Sequence, residues 1–322
     1  MTRIGIIGAG PNAVSHARYF AQSDRAELVA VADVALDVAQ KLAAELNTEA
    51  VADYTEFLDG VDAVVVSSPN FLHHEQAIAC ARAGKHVYCE KPMGLNLEQA
   101  RDIATAVKDA GVKSVVGFAT RFGSDVQTMQ RLNREGEFGD LISVCSRRLG
   151  FMDPANASRW RLDPNLSGGL LYEVNIHEID WMMCLGGEVQ SVYARTWAAN
   201  RDNERSNDHI FVTLAFANGA NGMHEGSWLS SNPQYFRSVE GTRAGAATNE
   251  WGTKLYFAER GKGRNDIETD PAFDLRGHFL ECIQTDATPV ANVDWALKVM
   301  TVAEAILLSA TQNRVVAMQE LS

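Results

Sequence analysis

Thr2-Arg-Ile-Gly-Ile-Ile-Gly8-Ala-Gly10-Pro-Asn-Ala13 is the stretch of sequence that decides the fold. Residues 3–7 are short, apolar and mostly β-branched, and a glycine follows them, which is typical of a buried parallel strand. Residues 11–22 then carry Val14, Ala17 and Ala21 at three- and four-residue spacing, which predicts a helix. The chain therefore begins with a strand, a glycine turn and a helix.

The same alternation continues over the first third of the chain. Further strands are predicted at residues 28–32, 61–67, 86–89 and 114–118, and helices at 38–46, 73–83 and 97–110. Strands and helices that alternate with short links indicate a doubly wound parallel sheet. We therefore predict an N-terminal Rossmann domain over residues 1–121.

The pattern changes after Thr120. Helices are expected at residues 122–136, 173–185, 273–285 and 293–311, an extended segment at 140–150 and strands at 189–198, 210–217, 222–229, 235–240 and 254–259. Asn218-Gly219 and Asn221-Gly222 are hairpin turn signals. Consecutive strands without helices between them predict a C-terminal α+β domain over residues 122–322, with a large, mostly antiparallel open sheet.

Composition excludes several classes of protein. The 322 residues are 46% hydrophobic, enough for a packed interior, and the net charge of −12 disfavours nucleic acid as a partner. The five cysteines are scattered without a Cys-x-x-Cys pair, so we expect reduced thiols and a cytoplasmic protein. We expect no signal peptide, no membrane span and no metal site.

The glycine turn has the chemistry of a phosphate site. The first glycine permits a sharp turn, the second lets the backbone approach a pyrophosphate, and a small third residue lets the helix pack on the strand. The free N–H groups of the helix N-terminus favour an anion. We therefore predict that a dinucleotide binds at Gly8, Ala9, Gly10, Pro11, Asn12 and Ala13.

Asp33 ends the second predicted strand, where a carboxylate can accept hydrogen bonds from the adenosine ribose. A carboxylate repels a 2′-phosphate, and Val34 and Ala35 offer no arginine to bind one. The sequence therefore favours NAD over NADP, although NADP stays possible. The alternative interpretation of Asp33 is a solvated acid in a turn.

The strand at residues 61–67 ends at the same sheet edge, so we expect Ser68, Pro69 and Asn70 to border the nicotinamide half of the cofactor. His73 and His74 follow. Adjacent histidines on a helix do not give a two-ligand metal geometry, so we expect one of them, His73 in our assignment, to cap a helix or contact the cofactor.

The order of several motifs resembles the Gfo/Idh/MocA oxidoreductase family. They are Gly8-Ala-Gly10, Ser68-Pro-Asn-Phe-Leu-His73, Ala83-Gly-Lys-His-Val-Tyr-Cys-Glu90-Lys91-Pro92, Trp160-Arg161, Gly168-Gly169, Glu173-x-x-x-His177-x-x-Asp180 and a C-terminal stretch with Pro289, Ala296 and Ser309-Ala310. The resemblance covers essentially the whole chain. It also implies a homodimer or homotetramer that forms through the C-terminal sheet.

The resemblance implies that Lys91 is the catalytic lysine, that His177 transfers the proton, and that Glu90 and Lys91 lie at the cofactor. The chemistry agrees, because hydride leaves a carbinol carbon readily only as the hydroxyl proton is removed, and histidine is suited to accept it. A lysine ammonium stabilises the developing negative charge. The alternatives are a surface lysine and a satisfied buried histidine.

This chain departs from the family pattern beside the histidine. Glu173 stands where the family usually has aspartate, and Asn175 where it usually has glycine. Glu173 and His177 lie one helical turn apart, so a carboxylate–imidazole pair is expected, and Glu173 is assigned to the catalytic group. Asn175 adds an amide that can bind a substrate hydroxyl.

The resemblance also places Trp160 and Arg161 at the border of the active site; the alternative is a packing residue with a solvated neighbour. Arg121 is a further substrate-binding candidate, although its position after the last strand of the first domain favours a role at the domain junction.

Three hypotheses follow. The first is an NAD-dependent dehydrogenase that oxidises a secondary hydroxyl of a sugar, cyclitol or related polyol, with Lys91 and His177 reaching one substrate oxygen. The second is an enzyme that retains NAD and processes a glycoside through transient oxidation of a ring carbon. The third is a non-catalytic dinucleotide sensor, which the presence of both Lys91 and His177 disfavours.

Overall fold

A computed structural model of the protein describes residues 1–199 and 207–321. The chain packs into two compact units. The first comprises Met1–Gly117 and Leu275–Lys298, and the second comprises Phe118–Asp274 and Val299–Ser322. A segment near the C-terminus thus returns to the first unit, which the sequence pattern does not indicate.

The first unit is built on a six-stranded parallel sheet. Its strands are β1 (Thr2–Ile7), β2 (Ala26–Ala32), β3 (Glu49–Val51), β4 (Ala63–Val66), β5 (His86–Cys89) and β6 (Ser114–Val116). Its helices are α1 (Pro11–Gln22), α2 (Leu36–Leu46), α3 (His73–Arg82) and α4 (Leu97–Ala110), with short 3₁₀ turns at Tyr54–Glu56, Leu58–Gly60 and Asn70–Leu72. The strand order β3-β2-β1-β4-β5-β6 is that of a doubly wound dinucleotide-binding sheet.

The central strands β1 and β4 form the core of this sheet. They pair in parallel with Ile4 opposite Ala63 and Ile6 opposite Val65, and all four side chains are buried. Because both faces of these strands are buried, their sequences are continuous apolar runs instead of alternating apolar and polar residues. Strand β3 is absent from the sequence prediction, because three residues are too short to show a period.

The second unit contains a nine-stranded mixed sheet. Its strands are β7 (Leu141–Phe151), β8 (Val189–Trp197), β9 (His209–Phe216), β10 (Asn221–Ser227), β11 (Leu229–Gly241), β12 (Ala244–Thr248), β13 (Leu255–Glu259), β14 (Asn265–Ile267) and β15 (Val316–Ala317). The order is β14-β13-β12-β11-β7-β10-β9-β8-β15, and all pairs are antiparallel except β7 with β10. The predicted combination of a parallel Rossmann sheet and a large, mostly antiparallel sheet is confirmed.

Helices of the second unit are α5 (Ser124–Arg134), α6 (Arg159–Leu162), α7 (Pro164–Ser167) and α8 (Ile176–Gly186), with 3₁₀ turns at Ala119–Phe122 and Met318–Leu321. Two details of the sequence prediction are wrong. Asn221 and Gly222 lie inside β10, so only Asn218-Gly219 is at the hairpin turn. Residues Leu171–Asn175 form a π-helical turn, so the α-helix begins at Ile176 instead of position 173.

Two C-terminal helices, α9 (Leu275–Thr285) and α10 (Val293–Gln312), complete the fold. In the first unit, the Phe279 ring of α9 lies edge-on to Tyr88 of β5 at 5.8 Å between centroids. The Val116 N–H of β6 donates a hydrogen bond to the Ala291 carbonyl oxygen at 2.7 Å. These contacts tie residues 275–298 to the edge of the parallel sheet.

Within the described ranges, no helix is long and apolar enough to cross a membrane.

Candidate active site

The glycine turn at the end of β1 has the geometry that a pyrophosphate requires. Gly8 has φ +106, and a Cβ there would lie 2.5 Å from the carbonyl oxygen of Ser67. Gly10 precedes Pro11 at the start of α1, and a Cβ on Gly10 would meet nothing within 4 Å. No side chain of the described residues caps this helix terminus. The open space at Gly10 and the uncapped N–H groups fit a dinucleotide pyrophosphate.

Asp33 lies directly after β2 and holds the glycine turn in shape. Its carboxylate accepts hydrogen bonds from the Ala9 N–H at 2.8 Å and from the Ala35 N–H at 2.9 Å. Each carboxylate oxygen has a second lone pair, which can accept a hydrogen bond from a ribose hydroxyl. Val34 beside it is 93% exposed. The site therefore has a carboxylate and an apolar neighbour where a 2′-phosphate would need a cation.

The loop after β4 is held by a buried histidine. His73 is 1% exposed, and its two ring nitrogens lie 2.9 Å from the carbonyl oxygens of Pro92 and Ser68. Burial lowers the pKa of His73. The ring thus connects the loops after β4 and β5, and its burial leaves almost no surface for a cofactor. Asn70 is also buried.

The loop after β5 carries Glu90 and Lys91. The Glu90 carboxylate lies 2.9 Å from Nε2 of His16 on α1, in a space that Gly117 leaves open by lacking a side chain. Burial tends to raise the pKa of Glu90, but the hydrogen bond and charge of His16 and the nearby Lys91 outweigh it, so that pKa is lowered. Lys91 is partly exposed at the same sheet edge.

These groups share one edge of the parallel sheet. Gly8, Asp33, Ser68 and Glu90 each follow the carboxyl end of a strand, and the strand order reverses between β1 and β4. Ligands of doubly wound sheets bind in the crevice at such a reversal. The first unit therefore brings its predicted cofactor residues to one edge, although the side chains of His73 and Asn70 are buried there.

The π-helical turn Leu171–Asn175 positions the acidic residue of the second unit. The Glu173 carboxylate is buried and forms an ion pair with the Arg161 guanidinium, Oε1 to Nε, at 2.9 Å. The Arg161 guanidinium also lies 5.3 Å from the centre of the Trp160 ring. Single π turns recur at functional sites because they shift side chains out of the α-helical register.

His177 and Asn175 lie in different environments. His177 is partly exposed in the first turn of α8, whereas Asn175 is 0% exposed. The Asn175 side chain fills the place that a Cβ on Gly226 of β10 would occupy, and its amide atoms have no hydrogen-bond partner among the described residues. Asn175 therefore presents no surface to a substrate hydroxyl.

Arg121 is part of a buried cluster. Its guanidinium lies 3.5 Å from the Asp180 carboxylate and donates a hydrogen bond to the Cys184 sulfur at 3.0 Å. Burial raises the pKa of Cys184 to about 12, so this group is a thiol at neutral pH. Arg121 is itself buried. Its position favours a role in holding α8 over contact with a substrate.

A second buried cluster was not predicted from the sequence. Glu178 of α8 accepts hydrogen bonds from Ser146 Oγ at 2.7 Å, the Trp181 indole at 2.6 Å and Arg148 at 3.1 Å. Burial tends to raise the pKa of Glu178, but the charges of Arg237 and Arg148 hold it well below its usual range. Burial also lowers the pKa of the neighbouring His224 to about 4. This network fixes α8, and with it the segment that carries His177.

Next to Glu173 the second unit contains a cavity of about 420 Å³. Its walls combine aromatic rings with a few polar groups. The aromatic residues are Phe151, Trp228, Tyr235 and Trp251, and the polar ones include Arg148, Arg161, Glu173 and Ser227. Such a composition is typical of small-molecule sites. A larger open groove between α3 and α4, about 910 Å³, contains none of the predicted site residues. Among residues 1–199 and 207–321, no group of three or more potential ligands is arranged for a metal ion.

The fold and these features define the class, a two-unit α/β protein built to bind a dinucleotide. Comparison with known proteins makes this specific. The chain matches the oxidoreductase family with an NAD-binding Rossmann fold over residues 2–118, and the Gfo/Idh/MocA C-terminal domain over residues 126–247. It belongs to the Gfo/Idh/MocA oxidoreductase family, so the resemblance inferred from the motifs is confirmed. The predictions that the protein is an oxidoreductase and that its cofactor is NAD are confirmed as well.

Several relatives resemble the chain over most of its length. A 2,7-anhydro-N-acetylneuraminate hydratase of Escherichia coli (strain K12) is 27% identical, over 100% of this chain and 98% of its own. A myo-inositol 2-dehydrogenase of Thermotoga maritima is 33% identical, over 70% and 68%. The crystal structure of an aldose-aldose oxidoreductase from Caulobacter crescentus complexed with glycerol is 25% identical, with a TM-score of 0.89 over 98% of this chain and 99% of the other.

Proposed function

We propose that the protein transfers a hydride between NAD and a secondary hydroxyl or ketone of a sugar, cyclitol or related polyol. The observation that carries this proposal is the placement of Lys91 after β5, at the sheet edge that also holds Gly8 and Asp33. The dehydrogenase and oxidoreductase relatives named above, one called for inositol and one for aldose, support the substrate class.

The roles of the residues follow from their chemistry. NAD, when bound, accepts the hydride from the carbinol carbon or returns it. The Lys91 ammonium stabilises the negative charge that develops on the substrate oxygen, and the His177 imidazole accepts the hydroxyl proton. Glu173, fixed by Arg161, orients the substrate from the wall of the cavity. In this proposal the first unit serves the cofactor, apart from Lys91, which also acts on the substrate, and the second unit serves the substrate.

The test is NADH formation with a panel of cyclic and open-chain polyols, for the wild type and for Lys91→Met and His177→Gln. We expect turnover with at least one polyol and a loss of about a hundredfold or more in kcat for each variant, while NADH still binds to both. Full activity of either variant, or no turnover across the panel, would refute the assignment.

A second candidate function is favoured by one observation. One relative that aligns with the whole chain is named a hydratase, and a hydration involves no net oxidation. In this alternative bound NAD would supply a reversible oxidation at a ring carbon, so that water could be added or removed at the neighbouring carbon without net consumption of the cofactor. Product formation with NAD below the enzyme concentration, without accumulation of NADH, distinguishes this route from net dehydrogenation.

We also propose that the protein is cytoplasmic and forms a homodimer or homotetramer through the nine-stranded sheet. All five cysteines are free, which is consistent with a reducing compartment. Phe211 of β9 and Met223 of β10 are each 52% exposed on the same face of the sheet. Light scattering should give a mass of two or four chains, and Met223→Asp should lower it; a monomeric wild type would refute the interface.

A further inference from the structure

The turn between β12 and β13 carries an exposed tryptophan at the cavity of the second unit. Trp251 lines that cavity and is 52% exposed. A large apolar ring exposed at the rim of a cavity suits contact with a ligand.

The backbone of this turn is fixed by local hydrogen bonds. The Asn249 side chain accepts hydrogen bonds from the N–H groups of Thr253 at 2.8 Å and Lys254 at 3.2 Å. Its amide also donates to the Thr253 hydroxyl at 2.8 Å. One asparagine thus organises the turn, and Trp251 is presented from a defined backbone rather than from a loose loop.

The same turn is attached to the wall of the cavity. Gly252 has φ +67, and a Cβ there would lie 2.6 Å from Cδ1 of Tyr235, so the backbone packs directly on that ring. The Tyr235 N–H donates to the Glu250 carbonyl oxygen at 2.6 Å. Tyr235 and Trp251 both line the cavity, so the attachment places the exposed indole beside the binding space.

The other tryptophan in the cavity is held in place. The Trp228 indole N–H donates to the Asp208 carboxylate at 2.7 Å, and its ring is mostly buried. Trp228 and Trp251 therefore give the cavity one fixed and one exposed indole, while Arg161, Glu173 and Ser227 supply polar groups. Aromatic faces pack well against the axial C–H groups of a ring, and the polar groups can bind its hydroxyls.

We propose that Trp251 is a specificity-determining residue that stacks on the C–H face of a six-membered ring, so that the enzyme selects cyclic polyols, pyranoses or cyclitols, over open-chain polyols. An open-chain polyol has no such flat face and loses more conformational entropy on binding. This inference rests on the proposed dehydrogenase function and narrows its substrate class.

The first experiment compares matched substrates that carry six oxygens each. Initial rates of NADH formation are measured with myo-inositol and D-glucose as cyclic probes and with D-sorbitol and D-mannitol as open-chain probes. We expect kcat/KM to be at least tenfold higher for the better cyclic probe than for either open-chain probe. Equal or inverted preference would overturn the proposal even though the enzyme is active.

The second experiment varies Trp251 with the best cyclic probe. We expect Trp251→Ala to raise KM about 5- to 20-fold with kcat changed less than about threefold, which is the size of an aromatic stacking contribution. Trp251→Phe should restore most of the affinity. A damaged fold would instead lower kcat and would not be rescued by phenylalanine.

Two controls make the outcome specific. Glu250→Ala changes the same turn without removing a cavity residue, and Trp197→Ala removes another exposed tryptophan that does not line the cavity. Both should leave KM within about twofold. If Trp251→Ala leaves KM unchanged but alters the molecular mass in solution, Trp251 contacts another copy of the chain and the proposal is wrong. If no polyol is turned over by the wild type, the proposed function itself fails.

Discussion

Acidification should destabilise the second unit through one buried histidine. His224 of β10 is 0% exposed and lies opposite Ser146 of β7 and Val212 of β9. The titratable and charged groups around it are Glu178, Arg148 and the neighbouring imidazole of His209. Burial is the main cause that lowers its pKa to about 4, and the attraction of Glu178 only partly opposes it.

The sign and size follow from linkage. An unfolded histidine titrates near a pKa of about 6.5, so between that pH and about 4 the unfolded chain binds more protons than the folded one, and stability falls as the pH falls. At about pH 5, which is about 1.5 pH units below the pKa of the unfolded histidine and still above that of the folded one, His224 alone lowers the unfolding free energy by about 2 kcal/mol. Above about pH 7 this loss is absent.

The assay is urea unfolding of the wild type and of His224→Gln at about pH 7.5 and pH 5. Tryptophan fluorescence reports mainly on the second unit, since of the six tryptophans only Trp295 belongs to the first. The stability difference between the two proteins should shift by about 2 kcal/mol in favour of the variant at the lower pH. Other histidines are present in both proteins, so their contributions cancel.

A matched control removes buried apolar atoms beside His224 without removing a titrating group. Val212→Ala, at the position opposite His224, should destabilise the protein by the same amount at both pH values because no proton is involved. The reasoning is refuted if the stability difference between the wild type and His224→Gln is the same at both pH values within about 0.5 kcal/mol.

Three further predictions concern the site. Gly10→Ala should leave the melting temperature unchanged, because a Cβ there meets nothing within 4 Å, yet weaken NADH binding at least tenfold in calorimetry; unchanged affinity would show that the pyrophosphate lies elsewhere. Gly226→Ala should lower the unfolding free energy by about 1–3 kcal/mol, because the new Cβ overlaps Asn175. Adding Asn175→Ala should recover part of this loss in a double-mutant cycle, whereas strictly additive effects would contradict the overlap. Arg161→Gln should change the unfolding free energy by less than about 1 kcal/mol, because the Arg161 side chain is 44% exposed, while kcat/KM falls about tenfold. An unaltered kcat/KM would show that Arg161 and its ion pair with Glu173 do not belong to the active site.

The parallel sheet and the glycine turn were predictable because their signals are local. Buried parallel strands are continuous apolar runs, and Gly8 takes a φ of +106 that other residues rarely adopt. Asp33 was predictable for a similar reason, since a carboxylate directly after the second strand lies at the ligand edge in this topology.

What could not be predicted depends on distant contacts. Glu178 of α8 and Arg237 of β11 are distant along the chain from Ser146 and Arg148 of β7, and the pairing of β7 with β11 and the packing of α8 on β7 bring them together. The amphipathic pattern of residues 275–285 predicts a helix but does not tell which sheet it packs against. The π turn before His177 leaves no sequence signal, because it differs from an α-helix by one residue in register.

The fit between Asn175 and Gly226 constrains how this sequence can change over time. An asparagine at position 175 is tolerated because the facing strand residue has no side chain. On a mutational path that starts with glycine at position 175 and a larger residue at 226, position 226 must therefore change to glycine first. The opposite order passes through an overpacked intermediate. Once Asn175 is in place, position 226 cannot readily regain a side chain, whereas position 175 can still change to a smaller residue.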